Sequence, residues 1–155
     1  LVLFLIVLIA FSLAADNKTG KPEQKTEQKK DQLFRMSKVS SSRDLYDIYE
    51  NHPDTIFVTA FVKGGNEHER HLTSLADSLK DNQKLFDSIV YIPVDANDKY
   101  LFKGILYDLG LYSESSAKFP YFLVIKEQSG QVMRGPEVAK TMESLIKKLG
   151  TDASK

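Results

Sequence analysis

Residues 55–71, TIFVTAFVKGGNEHERH, contain the pattern that decides the fold of this chain. Residues 55–62 are mostly β-branched or aromatic at both alternating positions, which is typical of a strand covered on both faces of a sheet. Gly64 and Gly65 then predict a tight turn, and charged residues begin a helix. Many α/β folds place functional groups where a strand runs through an exposed turn into a helix, so this turn is a candidate site.

The composition limits both the size of the protein and its chemistry. The 155 residues, 42% apolar and 27% charged, fit one globular domain with a tail. The 21 basic and 21 acidic residues balance, so the net charge favours no nucleic-acid partner. Because the sequence contains no cysteine, disulfide bonds, thiol nucleophiles, zinc–thiolate sites and dithiol redox cycling within the chain are excluded.

The N-terminal part of the chain differs from the rest in composition. Residues 1–15, LVLFLIVLIAFSLAA, are almost wholly apolar but shorter than the roughly 20 residues of a membrane-spanning helix. They predict a secretory signal peptide cleaved after Ala14 or Ala15, and the alternative is a membrane anchor that upstream residues lengthen. Residues 16–32 are polar and predict a flexible linker, in which Asn17 begins an N-glycosylation sequon.

From residue 33 onward, apolar spacing alternates between the periods of strands and helices. The predicted elements are a strand near 33–39, a helix from Ser41 or Ser42 to 51, the strand at 55–62, a helix with Leu72, Leu75, Ala76 and Leu79 on one face, a strand at 88–95 and a helix at 98–109 ended by Gly110. A hairpin with strands at 121–125 and 131–134 and a loop at 127–130 follows, and then a helix from Val138 to Leu149 closed by Gly150. This order predicts an α/β domain over residues 33–150, a mixed sheet of four to five strands flanked by helices, with a short tail at 151–155.

The order of elements resembles the thioredoxin fold over residues 33–149. The residues that carry the resemblance are the strand at 55–62, the Val94-Asp95 end of the next strand, Leu109-Gly110-Leu111, Pro120 before the fourth strand, and the Gly130 hairpin followed by Gly135. The resemblance implies a cis peptide bond at Phe119-Pro120. The link at 112–118 is longer than in the family.

The family's active site is absent from this chain. Thioredoxins place C-x-x-C at the start of the second helix, where the helix N-terminus lowers the pKa of a thiol. The resemblance puts Gly65 and His68 near those positions, and Thr59 near the family's buried acid. It therefore implies a redox-inactive domain, similar to the non-catalytic domains of protein disulfide isomerases, with no catalytic residue and no cofactor.

The resemblance also implies a groove that holds extended peptide. Its candidate residues are Phe61, Lys63, Gly64, Gly65, Phe119 and Pro120. One predicted function is a non-catalytic protein-binding module of the secretory pathway, in the endoplasmic reticulum lumen or secreted. The alternative is a membrane-tethered structural accessory subunit of an endoplasmic reticulum or mitochondrial membrane complex, with its contacts elsewhere on the domain.

Other chemistries have weaker support in the sequence. His68 and His71 are three residues apart and could share a metal ion with Glu67 or His52, but no HExxH pattern is present, so we assign no metal site. Ser113, Ser115 and Ser116 lack the GxSxG elbow of serine hydrolases. The Gly64-Gly65 pair lacks both glycine-rich phosphate-binding patterns, so we expect a turn there.

Overall fold

The computed structural model describes residues 33–152. The predicted signal or anchor at 1–15, the linker at 16–32 with Asn17, and residues 153–155 lie outside this part of the chain. Its elements are β1 (Arg35–Met36), α1 (Ser42–Asn51), β2 (Ile56–Val62), α2 (Glu67–Leu79), α3 (Gln83–Asp87), β3 (Ile89–Asp95), α4 (Lys103–Asp108), a 3-10 turn (Ser116–Lys118), β4 (Tyr121–Lys126), β5 (Ser129–Met133) and α5 (Val138–Asp152). None of the helices within 33–152 has the length and apolar character needed to cross a membrane.

Five strands form one mixed sheet in the order β1-β3-β2-β4-β5. The central strand β2 runs parallel to β3 and antiparallel to β4. The register places Phe61 opposite Tyr121, so the end of β2 lies beside the start of β4. This pairing brings the segment after β2 close to the segment before β4, and it confirms the predicted mixed sheet flanked by helices.

Both faces of β2 are buried, as the apolar pattern of residues 55–62 predicts. Ile56, Val58 and Ala60 pack in one cluster with residues of α2, α3 and α5. Phe57 and Phe61 point to the other face and pack with residues of α1 and α4. The side chains alternate because successive residues of a strand project to opposite faces. A strand covered in this way has almost no freedom to shift its register, because a one-residue slip would exchange its two faces.

The first two long helices form where local signals predict them. The backbone N–H of Asp44 donates to the Ser41 side chain at 3.2 Å, which caps the start of α1. Helix α1 buries Leu45 and Tyr49, and α2 buries the predicted apolar face that includes Leu72 and Leu75. The Ser41 cap of α1 and the 3.6-residue period of the two helices were therefore sufficient to place them.

Two predicted elements differ from the structure in length, and one helix of the structure was not predicted. The first strand is only Arg35–Met36, although Phe34 beside it is buried. Helix α3 is missing from the prediction, because five residues are too few to show a helical period. Helix α4 begins at Lys103 instead of residue 98, because Asp98 accepts a hydrogen bond from the Leu101 N–H at 3.0 Å in a preceding turn.

The predicted hairpin is confirmed, but its loop is shorter than the predicted 127–130. Glu127 and Gln128 form a two-residue turn with φ of 51° and 62°, and Ser129 and Gly130 already pair within the strand. Positive φ at both central positions matches the right-handed twist of the paired strands. The sequence favours a longer loop because these two residues rarely adopt that conformation.

Gly150 does not close the last helix, because α5 continues through it to Asp152. A Cβ atom at this position would lie 2.6 Å from Cδ1 of Leu85 on α3. The glycine therefore gives α5 room beside α3, and the predicted boundary at residue 150 falls inside a helix. This role depends on a tertiary contact that the local sequence does not show.

We predict that Gly130→Ala destabilises the domain by about 1–3 kcal/mol in urea unfolding, as overpacking does. The added methyl would lie 2.7 Å from the Val124 carbonyl oxygen and 3.1 Å from Cα of Ile125, and backbone atoms cannot move aside as a side chain can. Gln131→Ala, at the exposed next position of β5, is the matched control and should change stability by less than about 0.5 kcal/mol. Equal unfolding midpoints for the two variants would contradict this packing.

Candidate functional site: a proline cleft without cysteines

The turn after β2 has the backbone conformation that its glycines predict. Gly64 and Gly65 have φ of +95° and +72°, in the left-handed region, and both are exposed. Residues with a Cβ atom are strained there, so the two glycines allow the chain to leave β2 and enter α2 at Glu67. The predicted succession of strand, glycine turn and helix start is thus present.

The loop before β4 contains a cis peptide bond between Phe119 and Pro120, as the resemblance implies. The Lys63 ammonium lies 4.6 Å from the centroid of the Phe119 ring and donates to the Glu114 carbonyl oxygen at 2.9 Å. The edge of the Phe119 ring meets Tyr121, with 5.0 Å between centroids. Lys63 therefore joins the glycine turn to the proline loop, and Phe119 stays partly exposed.

A cleft of about 190 Å³ lies between the proline loop and the first turns of α2. We call it the proline cleft; its lining includes Glu67, His71, Ala117, Lys118, Phe119, Pro120 and Arg134. The sequence did not identify its charged members, because they come from segments far apart in the chain. No local pattern marks Arg134 as a neighbour of residues on α2.

The predicted groove residues do not all lie together. Phe119 and Pro120 line the proline cleft and Lys63 contacts Phe119, whereas the two glycines are exposed on the turn and are not among the residues that line the cleft. Phe61 is 0% exposed. Its assignment to the groove surface is wrong, because its side chain points from β2 into the core beneath α1 and α4.

Charged groups surround the proline loop in a linked arrangement. Lys118 and Glu114 form an ion pair at 2.7 Å, and the Tyr121 hydroxyl donates to the same carboxylate at 3.2 Å. The hydrogen bond from Lys118 lowers the pKa of Glu114 below its usual value. Arg134 donates through Nε to the Lys118 carbonyl oxygen at 3.0 Å, so the loop is held from both sides.

The two histidines of the predicted helix start line separate cavities. His68 lies beside Met36 and Tyr91, and its Nδ1 is buried without a hydrogen-bond partner in the described part of the chain. Burial lowers the pKa of His68. His71 faces the proline cleft, is buried edge-on against Phe122, and has Nε2 3.6 Å from Glu67. Residues 33–152 contain no group of three or more potential ligands placed to hold a metal ion.

Thr59, which the resemblance puts near the family's buried acid, forms a neutral hydrogen-bonded pair with Tyr49. The hydroxyl oxygens of Thr59 and Tyr49 are 2.6 Å apart, and both residues are buried. Burial raises the pKa of Tyr49, so the pair has no acid that could exchange a proton near neutral pH. The site therefore lacks both the thiols and the proton-transfer group of dithiol chemistry.

Several solved structures similar to this chain are thioredoxins. Thioredoxin from Schistosoma mansoni is 18% identical, with a TM-score of 0.51, covering 74% of this chain and 94% of that chain. A mutant thioredoxin from Halobacterium salinarum NRC-1 is 8% identical, with a TM-score of 0.52 and coverage of 74% and 90%. Thioredoxin from Trypanosoma brucei brucei is 15% identical, with a TM-score of 0.50 and coverage of 80% and 96%.

The chain has a thioredoxin-like fold. No protein-family model matches its sequence, and no curated protein matches it either. This thioredoxin-like domain contains no cysteine and hence no C-x-x-C motif, so its own residues cannot carry out dithiol–disulfide exchange.

We predict that Tyr49→Phe destabilises the thioredoxin-like domain by about 1–3 kcal/mol, because it leaves the buried Thr59 hydroxyl without its partner. The double variant Tyr49→Phe/Thr59→Val removes both hydroxyl groups and should recover much of the lost stability. Urea unfolding of the wild type, both single variants and the double variant measures the coupling. A double variant no more stable than Tyr49→Phe would show that the hydroxyl pair is not the cause.

Proposed function

We propose that this protein is a redox-inactive thioredoxin-like module that binds an extended segment of a partner protein at the proline cleft, without catalysis. The observation that carries the proposal is the cleft between the proline loop and the start of α2, with a partly exposed Phe119 ring, in a chain that contains no cysteine. In thioredoxins this region carries the reactive cysteines. In this chain it presents a partly exposed aromatic ring and charged side chains. A binding surface of this kind needs no reactive group.

The size of the cleft favours a polypeptide over a small ligand. Pockets that hold small molecules commonly have volumes of about 300–1,000 Å³, and the proline cleft has about 190 Å³. That volume suits one or two side chains of a segment that continues across the surface. Extended peptides bind in this way when the backbone supplies hydrogen bonds and a few pockets select side chains.

The chemistry of the cleft indicates what such a segment would carry. Phe119 offers apolar surface to an aliphatic or aromatic side chain, and the ammonium of Lys63 lies next to the same ring. Glu67, Lys118 and Arg134 supply both signs of charge around it. We therefore propose an apolar anchor residue flanked by polar or charged residues, bound with the modest affinity expected of a small contact area.

The same proposal includes the secretory pathway as the place of action, in the endoplasmic reticulum lumen or outside the cell. Its support is the apolar segment at 1–15, which has the length of a signal-peptide core, and the sequon at Asn17. In that compartment a domain without cysteines would hold a partner without exchanging disulfides with it.

A second candidate is a membrane-tethered accessory subunit of an endoplasmic reticulum or mitochondrial membrane complex. The feature that favours it is again the sequence of residues 1–15, which would serve as an anchor if retained, followed by the polar linker at 16–32. A linker of 17 residues would span on the order of 20 to 25 Å as a coil, enough to hold the domain off a membrane surface. In this function the partner contacts lie away from the proline cleft.

We predict that Phe119→Ala weakens capture of the partner about tenfold or more, as the loss of a central aromatic anchor does. Tyr100→Ala is the matched control, since Tyr100 is 90% exposed and lies outside the cleft. The measurement is a pull-down from solubilised native membranes and lumenal extract, followed by titration of the captured protein. Thermal unfolding of both variants should first show that the domain remains folded.

Partner capture that is equal for Phe119→Ala and the wild type would overturn the proposal of a binding cleft. In that case the accessory-subunit function gains support if the partner remains bound to the membrane fraction. Turnover in an insulin-reduction assay would overturn the assignment of this chain as redox-inactive, since the chain contains no thiol for that reaction.

We predict that the mature protein of the secretory module begins at Ala15 or Asp16, which N-terminal sequencing of the purified native protein would show. Signal peptidase cleaves after small residues such as Ala14 and Ala15. A mature protein that keeps residues 1–15 and resists extraction by alkaline washing would favour the tethered subunit instead.

A further inference from the structure

Another cavity lies at the opposite end of the sheet from the proline cleft. Its volume is about 540 Å³, and its lining includes Asp54 and Ile56 before and at the start of β2 and Lys126 at the end of β4. Because β2 and β4 are antiparallel, this end is far from Phe61 and Tyr121, which pair beside the proline loop. We call it the lysine cavity, since Lys84, Lys126 and Lys147 all line it.

Lys126 is the unusual member of this group. It is 9% exposed, and its ammonium donates one long hydrogen bond, 3.4 Å, to the Leu149 carbonyl oxygen. No carboxylate lies within 4.0 Å of this ammonium in the described part of the chain. A lysine is almost never buried unless it is paired, because removing its charge from water is costly. Lys126 is therefore a largely buried lysine whose ammonium has one long hydrogen bond, to a carbonyl in the last turn of α5, and no carboxylate beside it among residues 33–152.

The other charges of the cavity leave this positive charge uncompensated. Lys84 on α3 forms no ion pair among residues 33–152, and Lys147 on α5 is paired with Glu143. Asp54 is the single acidic residue in the lining. Three elements, α3, β4 and α5, therefore bring ammonium groups to one cavity, with less negative than positive charge around it.

The rest of the lining combines further polar groups with apolar surface. The Asn82 side-chain oxygen accepts from the Leu85 N–H at 3.2 Å, which leaves its amide N–H groups as donors. Of the two apolar side chains in the lining, Leu85 keeps more exposed surface, because Ile56 is packed in the core. The volume falls within the range of small-molecule sites and exceeds what a single inorganic oxyanion needs.

We propose that the lysine cavity binds the phosphate monoester of a small organic molecule. Lys126 and Lys84 hold the phosphate group through charge-assisted hydrogen bonds, and the organic part lies against Leu85. A phosphate supplies acceptor oxygens and a negative charge, and the Lys126 ammonium has no carboxylate beside it in the described part of the chain. The site is independent of the proline cleft and of the function proposed there.

The test is a titration of the isotope-labelled full chain with phenyl phosphate, inorganic phosphate and phenol, followed by the amide signals of Ser88, Lys126 and Gly150. We expect saturable shifts with both phosphates, tighter binding of phenyl phosphate because of its apolar ring, and no shift with phenol. Absence of saturable binding by phenyl phosphate, or an equal response to phenol, overturns the proposal.

Three variants separate a built site from general attraction by positive charge. Lys126→Met should weaken phenyl phosphate binding about tenfold or more, the loss expected for a charge-assisted hydrogen bond, and Lys84→Gln should weaken it several-fold by the same argument. Lys148→Gln, at an exposed lysine of α5 that does not line the cavity, should leave binding unchanged. If Lys126→Met fails to fold, the comparison of Lys84→Gln with Lys148→Gln decides, and equal weakening by these two overturns the proposal.

Discussion

The pairing of β2 with β3 on one edge and β4 on the other is the constraint on which the rest of the structure depends. β2 is hydrogen-bonded along both edges and buried on both faces, so its position in the sheet is fixed. The pairing of Phe61 with Tyr121 then determines which loops meet. The glycine turn leaves one strand where the proline loop enters the next, so the candidate site is a consequence of strand register.

The candidate site is formed where the glycine turn and the proline loop meet, but its side chains differ in chemistry from the active site of thioredoxins. The resemblance puts Gly65 and His68 near the family's two cysteines and Thr59 near its buried acid, and Thr59 is paired with the Tyr49 hydroxyl. The glycine turn and the proline loop instead bring the ammonium of Lys63 beside the partly exposed ring of Phe119. Binding requires only such a surface, whereas redox exchange requires thiols held at fixed geometry.

Local signals in the sequence were sufficient for most of the fold. The two-sided apolar pattern of β2, the Ser41 cap of α1 and the helical spacing of Leu72 and Leu75 each act within a few residues, so the sequence predicts them well. The element boundaries that the sequence predicts wrongly depend on contacts between distant residues or on rare backbone conformations. Gly150 lies inside a helix where a Cβ atom would meet Leu85, and the hairpin turn has positive φ at Glu127 and Gln128.

The candidate site was only partly predictable for the same reason. Phe119 and Pro120 follow from the resemblance, but the sequence does not show which face of β2 carries Phe61, and the structure buries it. The charged lining of the cleft comes from α2, the proline loop and the segment after β5, which meet only in the folded sheet. Buried charges such as Lys126 are likewise invisible in the sequence, because a lysine at a strand end is ordinarily exposed.

The central claim is that the proline cleft contacts a partner polypeptide. Site-specific photo-crosslinking in the native extract tests it most directly, with the reactive residue placed at Ala117 in the cleft lining or at Ser144 on the exposed side of α5. The claim predicts a discrete crosslinked partner from position 117, with the attachment points confined to one extended segment, and none from position 144. Crosslinks from position 144 without any from position 117 would contradict it.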